Sequence, residues 1–341
     1  MNHYLCKMQP LISILTPFKN TELFIGECID SILQQTYTNW ELLIIDDFST
    51  DLSYKIVDTF RKKDSRIKLF KNNQPGIIHA LRLALSQSSG EFVTRMDSDD
   101  IMYPNKLEVM ANALITHGRQ HIALGLVHYF SKEGIKDGYK QYENWLNTLT
   151  KTGSNYSELY KECAIPSPCW MVYKEDLFAC DAFNPNRYPE DYDLAFRFYK
   201  QQIQCIPSDT VIHKWRDYST RASRTDKNYA ENHFLSLKLD YFIDLDYNPN
   251  KTLVIWGAGK KGKITAKKLI DKTLSFEWIC DNPNKIGHDI YGKILKPFEA
   301  LSTVKNSQII ITVSNKTEQK DISEYLNTLQ MKPIIDYVFF C

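Results

Sequence analysis

Residues 91–107 read EFVTRMDSDDIMYPNKL, and the fold class follows from their pattern. The run Phe92–Met96 is short, largely apolar and partly β-branched, which is typical of a buried strand. Three carboxylates come directly after it, at Asp97, Asp99 and Asp100. Because ligands of α/β proteins bind beyond the carboxyl ends of parallel strands, this order predicts an α/β fold with a ligand site after the strand.

The same pattern occurs three more times upstream. Short apolar runs alternate there with amphipathic segments of helical length, which predicts a β-α-β-α series and a mostly parallel sheet. The predicted strands are Leu11–Thr16, Leu42–Asp46, Ile67–Phe70 and Phe92–Met96, and the predicted helices are Phe24–Gln35, Leu52–Lys62 and Ile77–Ser88. The residues that follow these strands are therefore candidates for the ligand site.

The chain downstream of this series is less regular. Gly134–Cys163 gathers Gly, Asn, Thr and aromatic residues without a clear period, so we expect an irregular insertion there. Its aromatic residues are candidates for stacking on an acceptor sugar, or for ordinary packing. The pattern then predicts a strand at Cys169–Tyr173, a helix that opens near Pro189, a strand at Ile203–Ile206 and a helix at Asn232–Asp244.

A change of composition near residue 250 predicts a second domain. Residues 251–341 hold 14 Lys, no Arg and nine acidic residues, a net charge of +5 in a chain whose total is +1. Strand-like and helix-like segments start again there. We therefore predict domains at 1–246 and 251–341.

The second domain carries the motif GAGKKG at residues 257–262. Its G-x-G-x-x-G spacing, between a predicted strand and a predicted helix, is typical of the phosphate-binding turn of Rossmann-like domains. Asp281 ends the next predicted strand, 24 residues after Gly257, near the position of a ribose-binding acid. The domain is therefore predicted to be a small Rossmann-like α/β unit that either binds a nucleotide or serves as a packing or partner-docking module.

Composition excludes several classes of protein. A chain of 341 residues with 43% hydrophobic and 24% charged residues is globular, and its net charge of +1 predicts no nucleic-acid partner. Eight scattered cysteines without a C-x-x-C pair are typical of reduced thiols in a cytoplasmic protein. The sequence has neither an apolar run of about 18 residues nor a signal-peptide pattern, so we expect no membrane span and no secretion.

The acidic run is open to two interpretations. Three carboxylates within four positions repel one another unless a cation compensates them, and Mg²⁺ or Mn²⁺ binds carboxylates together with substrate phosphates. The alternative is a solvated acidic loop in which Asp100 caps the following helix. Asp46 and Asp47 end an earlier strand and favour a nucleotide site, although helix capping is an alternative for Asp47 as well.

Five segments, in this order and spacing, resemble the family 2 glycosyltransferases of the GT-A fold, which are inverting enzymes that use nucleotide-sugar donors. They are SILTPFKN at 13–20, SILQQTYTNWELLIIDDFSTD at 31–51, NNQPGIIHALRLAL at 72–85, GEFVTRMDSDDIMYPNKL at 90–107 and YPEDYDLAFR at 188–197. The resemblance covers residues 11 to about 225. It implies a GT-A nucleotide-diphospho-sugar transferase fold, with a mixed, mostly parallel sheet flanked by helices.

The resemblance also implies roles for individual residues in donor binding. Asp97 and Asp99 match the D-x-D motif, with Asp99 as the direct metal ligand and Asp97 nearer the ribose. Residues that would border the base and ribose are Thr16, Pro17, Asn20 and Asp47. Residues that match a family segment beside the nucleotide are Asn73, Gln74 and Gly76, and those that would lie near the phosphates are Arg82 and Arg95.

Two further motifs concern catalysis. Glu190-Asp191 matches an E-D signature, so the resemblance implies that Asp191 is the general base, whereas acids that merely favour a helix N-terminus are the alternative. Arg216, Arg221 and Arg224 are interleaved with hydroxyl residues and suit a loop that closes over a diphosphate or an acidic acceptor. Related sequences often have a His where this chain has Tyr218. His213, just upstream, is expected to be a half-buried strand-end histidine.

The sequence as a whole predicts an inverting glycosyltransferase that depends on Mg²⁺ or Mn²⁺ and moves a sugar from a nucleoside-diphosphate sugar to a hydroxyl acceptor. The resemblance implies bacterial surface polysaccharide or glycan assembly, with a glycan or lipid-linked acceptor. We expect a cytoplasmic enzyme, with peripheral association at the inner face of the membrane. Two alternatives stay open: a non-catalytic nucleotide-sensing or scaffold protein, and a nucleotide-dependent oxidoreductase centred on GAGKKG.

Overall fold

The computed structural model describes residues 9–221 and 231–341, which belong to two compact units. The first unit contains the described residues up to Asn155 and from Ala164 to Arg221. The second contains Tyr156–Cys163 and the described residues from 231 onward. The predicted domain limits, 1–246 and 251–341, stay a prediction.

A seven-stranded sheet forms the centre of the first unit. Its strands are β1 (Ile12–Phe18), β2 (Trp40–Asp46), β3 (Ile67–Lys71), β4 (Phe92–Arg95), β6 (His121–Leu124), β8 (Trp170–Tyr173) and β9 (Gln204–Ile206). The order is β3-β2-β1-β4-β8-β6-β9. Strands β3, β2, β1 and β4 are parallel, and β8 runs antiparallel to both of its neighbours. The sheet is thus mixed and mostly parallel, which confirms the predicted α/β class.

The helices of the first unit bury apolar residues at helical spacing. They are α1 (Ile25–Leu33), α2 (Ser53–Arg61), α3 (Ile77–Ser86), α4 (Lys106–His117), α5 (Asp137–Thr152), α6 (Lys174–Ala179) and α7 (Glu190–Lys200). In α1, for example, Ile25, Ile29 and Ile32 are fully buried. Strand β2 is buried along its whole length, as its continuous apolar run predicts.

A second, small sheet supplies one side of the candidate site. Its first strand follows β4 and the acidic run in the sequence. It has the order β5-β10-β7, from β5 (Ile101–Met102), β7 (Leu126–Phe130) and β10 (Val211–Arg216). His213 pairs with Met102, immediately after the acidic run, in the antiparallel register of β10 with β5. This pairing brings the end of β10 to Asp99 and Asp100, residues more than a hundred positions away in sequence.

The predicted irregular insertion at Gly134–Cys163 is wrong for most of its length, because residues Asp137–Thr152 form the 16-residue helix α5. Leu146 and Leu149 are buried on one face of it. Asn147, a residue typical of loops, binds the backbone of Val127 at the edge of β7, with its side chain accepting from the N–H and donating to the carbonyl at 2.9 Å each. Tertiary packing thus overrides local propensity in this segment.

The second unit is a parallel α/β fold. Its elements are α8 (Glu231–Tyr241), β11 (Thr252–Trp256), α9 (Lys260–Asp271), β12 (Glu277–Cys280), β13 (Asp289–Ile290), β14 (Lys293–Ile294), β15 (Lys296–Pro297), β16 (Ser307–Ile311), α10 (Lys316–Thr328) and β17 (Tyr337–Phe339). The order β15-β12-β11-β16-β17 is parallel throughout, and it is the 3-2-1-4-5 order of doubly wound nucleotide-binding sheets. Among the helices that the structure describes, none has the length and apolar character needed to cross a membrane.

Candidate active site

The carboxyl ends of β1 and β2 form the first part of the site. Phe18 pairs with Asp46 in the parallel register, so the loops that follow the two strands lie side by side. Asn20 ties the loops together, because its N–H donates to Ser49 Oγ at 3.1 Å and its side-chain oxygen accepts from Thr50 N–H at 2.8 Å. Asn20 has a φ of 52°, a left-handed conformation that Asn tolerates better than most residues.

Asp47 is a buried carboxylate with hydrogen-bond partners from the loop after β3. Only 7% of it is exposed, and its Oδ1 accepts from Asn72 Nδ2 at 2.7 Å and from the backbone N–H of Gly76 at 2.9 Å. Gly76 has a φ of 119°, which favours glycine at this turn. Asp47 therefore does not cap α2, which begins at Ser53. The partner Asn72 was not predicted, and the only signal in the sequence was its place at the end of a strand.

Three other predicted donor-binding residues lie in different environments. Thr16 and Pro17 lie near the end of β1, and the Thr16 hydroxyl is buried with no hydrogen-bond partner among the described residues. Gln74 is exposed on the loop between Asn72 and Gly76. Thr16 and Pro17 lie on β1 and Gln74 on the loop after β3, and these strands are on either side of β2, which Asp47 follows.

Arg82 is engaged elsewhere. Its Nε donates to the Phe183 carbonyl at 2.6 Å, and its Nη2 donates to the Asn184 carbonyl and, at 2.6 Å, to Asn186 Oδ1. The guanidinium thus holds residues 183–186 against α3. The structure does not bring Arg82 together with the acidic run by any of these contacts.

The three carboxylates after β4 have three different environments. Asp97 is partly exposed, with 20% of its side chain accessible, and one of its oxygens lies 3.2 Å from Arg95 Nη2. Asp99 accepts a hydrogen bond from the Tyr218 hydroxyl at 2.8 Å. Asp100 is fully buried and accepts from the backbone N–H of Arg216 at 2.7 Å. Asp100 therefore serves β10, and the alternative in which it caps the following helix is wrong.

The donor set of Asp97 and Asp99 fits a hard divalent cation. Burial and the neighbouring Asp100 raise the pKa of Asp99 to about 7. The negative charge of the ionised Asp99 is therefore not fully offset by positive groups of the protein. Within the described ranges, no group of three or more His, Cys, Asp or Glu side chains is arranged to hold a metal on its own. A cation here would need further oxygen ligands, and substrate phosphates are the usual ones for Mg²⁺.

Arg216, at the end of β10, contacts the acidic run directly. Its Nε donates to the Asp99 carbonyl at 2.6 Å, and its Nη2 lies 2.5 Å from Glu27 Oε2. The guanidinium also lies over the rings of Phe24 and Phe130, with centroid distances of 4.8 and 4.5 Å. Glu27, on α1, was not predicted, because nothing local links it to β10.

The rest of the predicted arginine-rich segment is described only in part. Arg221 lies over the ring of Trp215 at 5.0 Å. Burial raises the pKa of both Asp99 and Asp100, and the positive charge of Arg221 offsets part of this increase. Arg224 lies outside the described residues. Tyr218, which stands where related sequences often have a His, contacts Asp99 directly.

A buried network underlies the acidic run. His213 is fully buried, so the expectation of a half-buried histidine is wrong. Its Nε2 lies 3.0 Å from Asp100 Oδ2, and its Nδ1 lies 3.5 Å from the ammonium of Lys106, which also donates to the Pro168 carbonyl. Burial and Lys106 lower the pKa of His213, so the ring is neutral, with Nε2 donating to Asp100 and Nδ1 facing Lys106. Lys106 was missed because lysines in a first helical turn are usually exposed.

This network predicts that Asp100 is structural. Asp100→Ala leaves the Arg216 N–H and the His213 Nε2–H without their buried acceptor, so we expect the free energy of unfolding to fall by about 2–4 kcal/mol in urea denaturation. Asp100→Asn retains one acceptor oxygen and should cost less. The control is Asp137→Ala, whose carboxylate is 89% exposed and should change little. Equal losses for Asp100→Ala and Asp137→Ala would contradict the assignment.

The E-D pair opens α7 on the other side of the acidic run. Asp191 Oδ2 accepts from Ser167 Oγ at 3.1 Å, and Oδ1 accepts from Tyr192 N–H at 2.8 Å. Burial and the neighbouring Glu190 raise the pKa of Asp191 to about 6. A partly buried carboxylate that is held by hydrogen bonds and ionised near neutral pH has the properties of a general base.

Arg95 connects the two acidic motifs. It is buried, its Nη1 donates to Glu190 Oε1 at 3.0 Å, and its Nη2 lies 3.2 Å from Asp97 Oδ1. The guanidinium therefore fixes the start of α7 relative to the end of β4. This link brings Asp97 and the first residue of α7 to one guanidinium group.

Comparisons with known proteins identify the family of this chain. Residues 13–180 match the family model for glycosyl transferase family 2. Over 250 residues the chain is 30% identical to the UDP-Glc:alpha-D-GlcNAc-diphosphoundecaprenol beta-1,3-glucosyltransferase WfgD of Escherichia coli, an alignment that covers 70% of this chain and 87% of the relative.

Two solved structures share the fold. S. aureus TarS 1–349 in complex with UDP-GlcNAc matches with a TM-score of 0.52 and 19% identity, covering 76% of this chain and 71% of that one. The mannosyltransferase PcManGT from Pyrobaculum calidifontis in complex with GDP-Man and Mn²⁺ matches with a TM-score of 0.51 and 19% identity, covering 70% of this chain and 64% of that one.

Proposed function

Because this chain belongs to glycosyl transferase family 2 and is a glycosyltransferase, we propose that it transfers a sugar, with inversion and with the help of a divalent metal, from a nucleoside-diphosphate sugar to a hydroxyl acceptor. The observation that carries the proposal is the Arg95 link, which joins Asp97 to the start of α7 and so to Asp191. A donor site and a base are both needed for direct displacement, and this link holds them together.

The donor nucleotide would bind at the edge formed by β1, β2 and the loop after β3. Asp47 is oriented by Asn72 and Gly76, so its remaining lone pairs can accept from a base N–H or a ribose hydroxyl. The other residues proposed to border the nucleotide are Thr16, Pro17, Asn20, Gln74 and Gly76. For Arg82, a phosphate-binding role would require it to exchange its present contacts with residues 183–186.

Asp99 and Asp97 would hold Mg²⁺ or Mn²⁺. The metal would supply positive charge to the leaving nucleoside diphosphate. Arg216, fixed by the Asp99 carbonyl and Glu27, places a permanent positive charge beside the same position. The Mn²⁺ named with GDP-Man in the mannosyltransferase structure supports the use of a divalent metal with the donor.

Asp191 would act as the general base. An alcohol is a poor nucleophile until its proton is taken in the transition state, and the Asp191 carboxylate would take it as the acceptor oxygen attacks the anomeric carbon. Ser167 and the Tyr192 N–H fix the orientation of the carboxylate. Attack from the face opposite the leaving diphosphate inverts the anomeric centre.

We propose the chemical class of the acceptor. WfgD is named for a diphosphoundecaprenol-linked acceptor, and we propose a glycan or lipid-linked acceptor here in the assembly of a surface polysaccharide. With a lipid-linked acceptor the enzyme would work at the inner face of the membrane. Transfer assays with lipid-linked and soluble acceptors distinguish the two acceptor types.

The raised pKa of Asp191 predicts the pH profile. The base is active only when ionised, so kcat/KM should rise tenfold per pH unit below about pH 6 and level off above it. An ordinary Asp would be ionised above about pH 4 and would give a flat profile over this range. The measurement is initial rate against pH at saturating metal, and a profile that is flat between about pH 5 and 8 would contradict the assignment.

The donor is identified by thermal shift. We expect one nucleoside diphosphate among UDP, GDP, ADP and CDP to raise the melting temperature of the full chain in the presence of Mn²⁺, with a smaller shift in EDTA. The sugar is then found by testing the corresponding nucleotide sugars for transfer. Metal-independent stabilisation by every nucleotide alike would count against the proposed donor site.

A further inference from the structure

The second unit contains a cavity that the proposed transferase site does not use. Its volume is about 580 Å³, within the range of small-ligand sites. It lies beyond the carboxyl ends of β11, β12 and β16 and is bordered by the turn Gly257–Gly259, by Lys260 and Lys261 at the start of α9, and by Asp281 and Lys285. Ligands of parallel α/β sheets bind at this edge, next to the point where the strand order reverses.

Glycine occupies the three positions of GAGKKG for different physical reasons. Gly257 has a φ of 114°, and a Cβ there would lie 2.8 Å from Thr312 Oγ1. At Gly262 a Cβ would lie 2.1 Å from the Gly257 carbonyl oxygen, so the close packing of α9 on the turn requires glycine. Both glycines are explained by the fold alone.

Gly259 is required neither by its backbone conformation nor by steric contacts, although it is the N-cap residue of α9. Its φ of −78° is accessible to any residue, and a Cβ built on it would meet no atom of the described chain within 4 Å. It borders the cavity. A bare backbone at this position lets a ligand approach the turn and the N-terminal N–H groups of α9, which is the function of the second glycine in phosphate-binding turns.

The charged residues around the cavity indicate which class of ligand it can bind. Lys260, Lys261 and Lys285 bring positive charge to the turn, and Lys285 Nζ donates to the Ala258 carbonyl at 2.9 Å. Asp281, at the end of β12, accepts from Trp256 Nε1 at 2.9 Å, which orients its carboxylate. A carboxylate repels a simple anion, but it accepts hydrogen bonds from the hydroxyls of a ribose.

We propose that this cavity is a second nucleotide site, in which the diphosphate of a nucleoside diphosphate or dinucleotide lies on the turn at Gly259 and its ribose hydroxyls donate to Asp281. The lysines balance the diphosphate, so binding needs no divalent metal. The proposal concerns binding alone and is independent of the transferase assignment. The ligand has two candidate sources, the uridine or guanosine diphosphates of sugar donors and the adenine dinucleotides, which share the ribosyl diphosphate group.

The test is calorimetry on the full chain in EDTA, with UDP, GDP, ADP and NAD⁺ as probes. The chain carries Asp99→Ala, so that the first site is weakened. We expect one site per chain for at least one probe, and which probe binds identifies the source. Gly259→Val and, separately, Asp281→Asn should each weaken binding by about tenfold or more, because each removes one polar contact or blocks the approach of the ligand.

The control is Lys263→Gln, which removes an exposed lysine of the same helix that does not border the cavity, and which should leave the affinity unchanged. The melting temperature of Gly259→Val should fall only slightly, because the new side chain occupies open space and the one expected cost is that valine is a less favourable N-cap of α9 than glycine. Absence of binding by all four probes, or equal affinity in wild type, Gly259→Val and Asp281→Asn, would overturn the proposal. Inorganic phosphate that binds as tightly as the nucleotides would also overturn it, because the ribose would then contribute nothing.

Discussion

Asp191→Asn should lower kcat by about 10²–10⁴-fold, the usual contribution of a general base, while the affinity for the donor nucleotide stays unchanged. The amide cannot take the acceptor proton, but it keeps the shape of the side chain and an oxygen that can accept from Ser167 Oγ. Donor contacts proposed at Asp47 and Asp99 do not involve this side chain. The measurements are single-turnover transfer rates and calorimetric donor binding on the same protein.

The same variant should be more stable than the wild type at pH 8. The folded-state pKa of Asp191 is raised to about 6, above its unfolded value, so the ionised carboxylate destabilises the fold at pH 8 and the neutral amide does not. The advantage should shrink as the pH falls below about 6, where the wild-type side chain becomes protonated. Lost turnover together with gained stability is the signature of a functional carboxylate rather than a structural one.

Ser167→Ala is the matched control, because it removes the hydroxyl that orients Asp191 but leaves the base in place. We expect a smaller fall in kcat, of about tenfold, which corresponds to the loss of one hydrogen bond. If Asp191→Asn transferred sugar at the wild-type rate, the base would have to be another residue. A fall in donor affinity as large as the fall in kcat would instead assign Asp191 to the donor site.

The elements of the main sheet could be predicted from local pattern. Strand β2, for example, was predicted at Leu42–Asp46 and is observed at Trp40–Asp46, and α3 was predicted at Ile77–Ser88 and is observed at Ile77–Ser86. A buried parallel strand has a continuous apolar run, so its position is visible in the sequence itself. The candidate ligand-binding edge could be predicted for the same reason, because the polar residues after each apolar run mark the carboxyl end of a strand.

The partners of the site residues could not be predicted in the same way. Asp47, Asp99 and Asp191 lie at positions that the sequence marks, but the groups that fix them include Asn72, Tyr218 and Ser167, which tertiary structure brings together from distant segments. A single sequence carries no information about which side chain completes such a pair. Local propensity also misled, because α5 contains residues that favour loops and is held by packing and by Asn147.

Asp99→Asn should abolish the stabilisation of the donor complex by Mn²⁺ and lower kcat/KM by about 10³-fold, since a metal that stabilises charge on a leaving diphosphate contributes several kcal/mol. The amide keeps the size of the side chain and an oxygen that can still accept from the Tyr218 hydroxyl, so the loop around it should not rearrange. The measurements are the melting temperature with the donor nucleotide, in EDTA and in Mn²⁺, and the rate of transfer over a range of metal concentrations.

The variant Tyr218→Phe distinguishes metal binding by the Asp99 carboxylate from the hydrogen bond that Asp99 accepts. It removes the hydroxyl that lies 2.8 Å from Asp99 but leaves the carboxylate, so a metal ligand at Asp99 should still respond to Mn²⁺. If both variants lost the metal response equally, metal binding would need both the Asp99 carboxylate and the Tyr218 hydroxyl. If neither lost it, the cation would bind elsewhere. Loss in Asp99→Asn with retention in Tyr218→Phe would assign Asp99 as a ligand and leave Asp100, committed to the β10 backbone and His213, as the structural acid of the three.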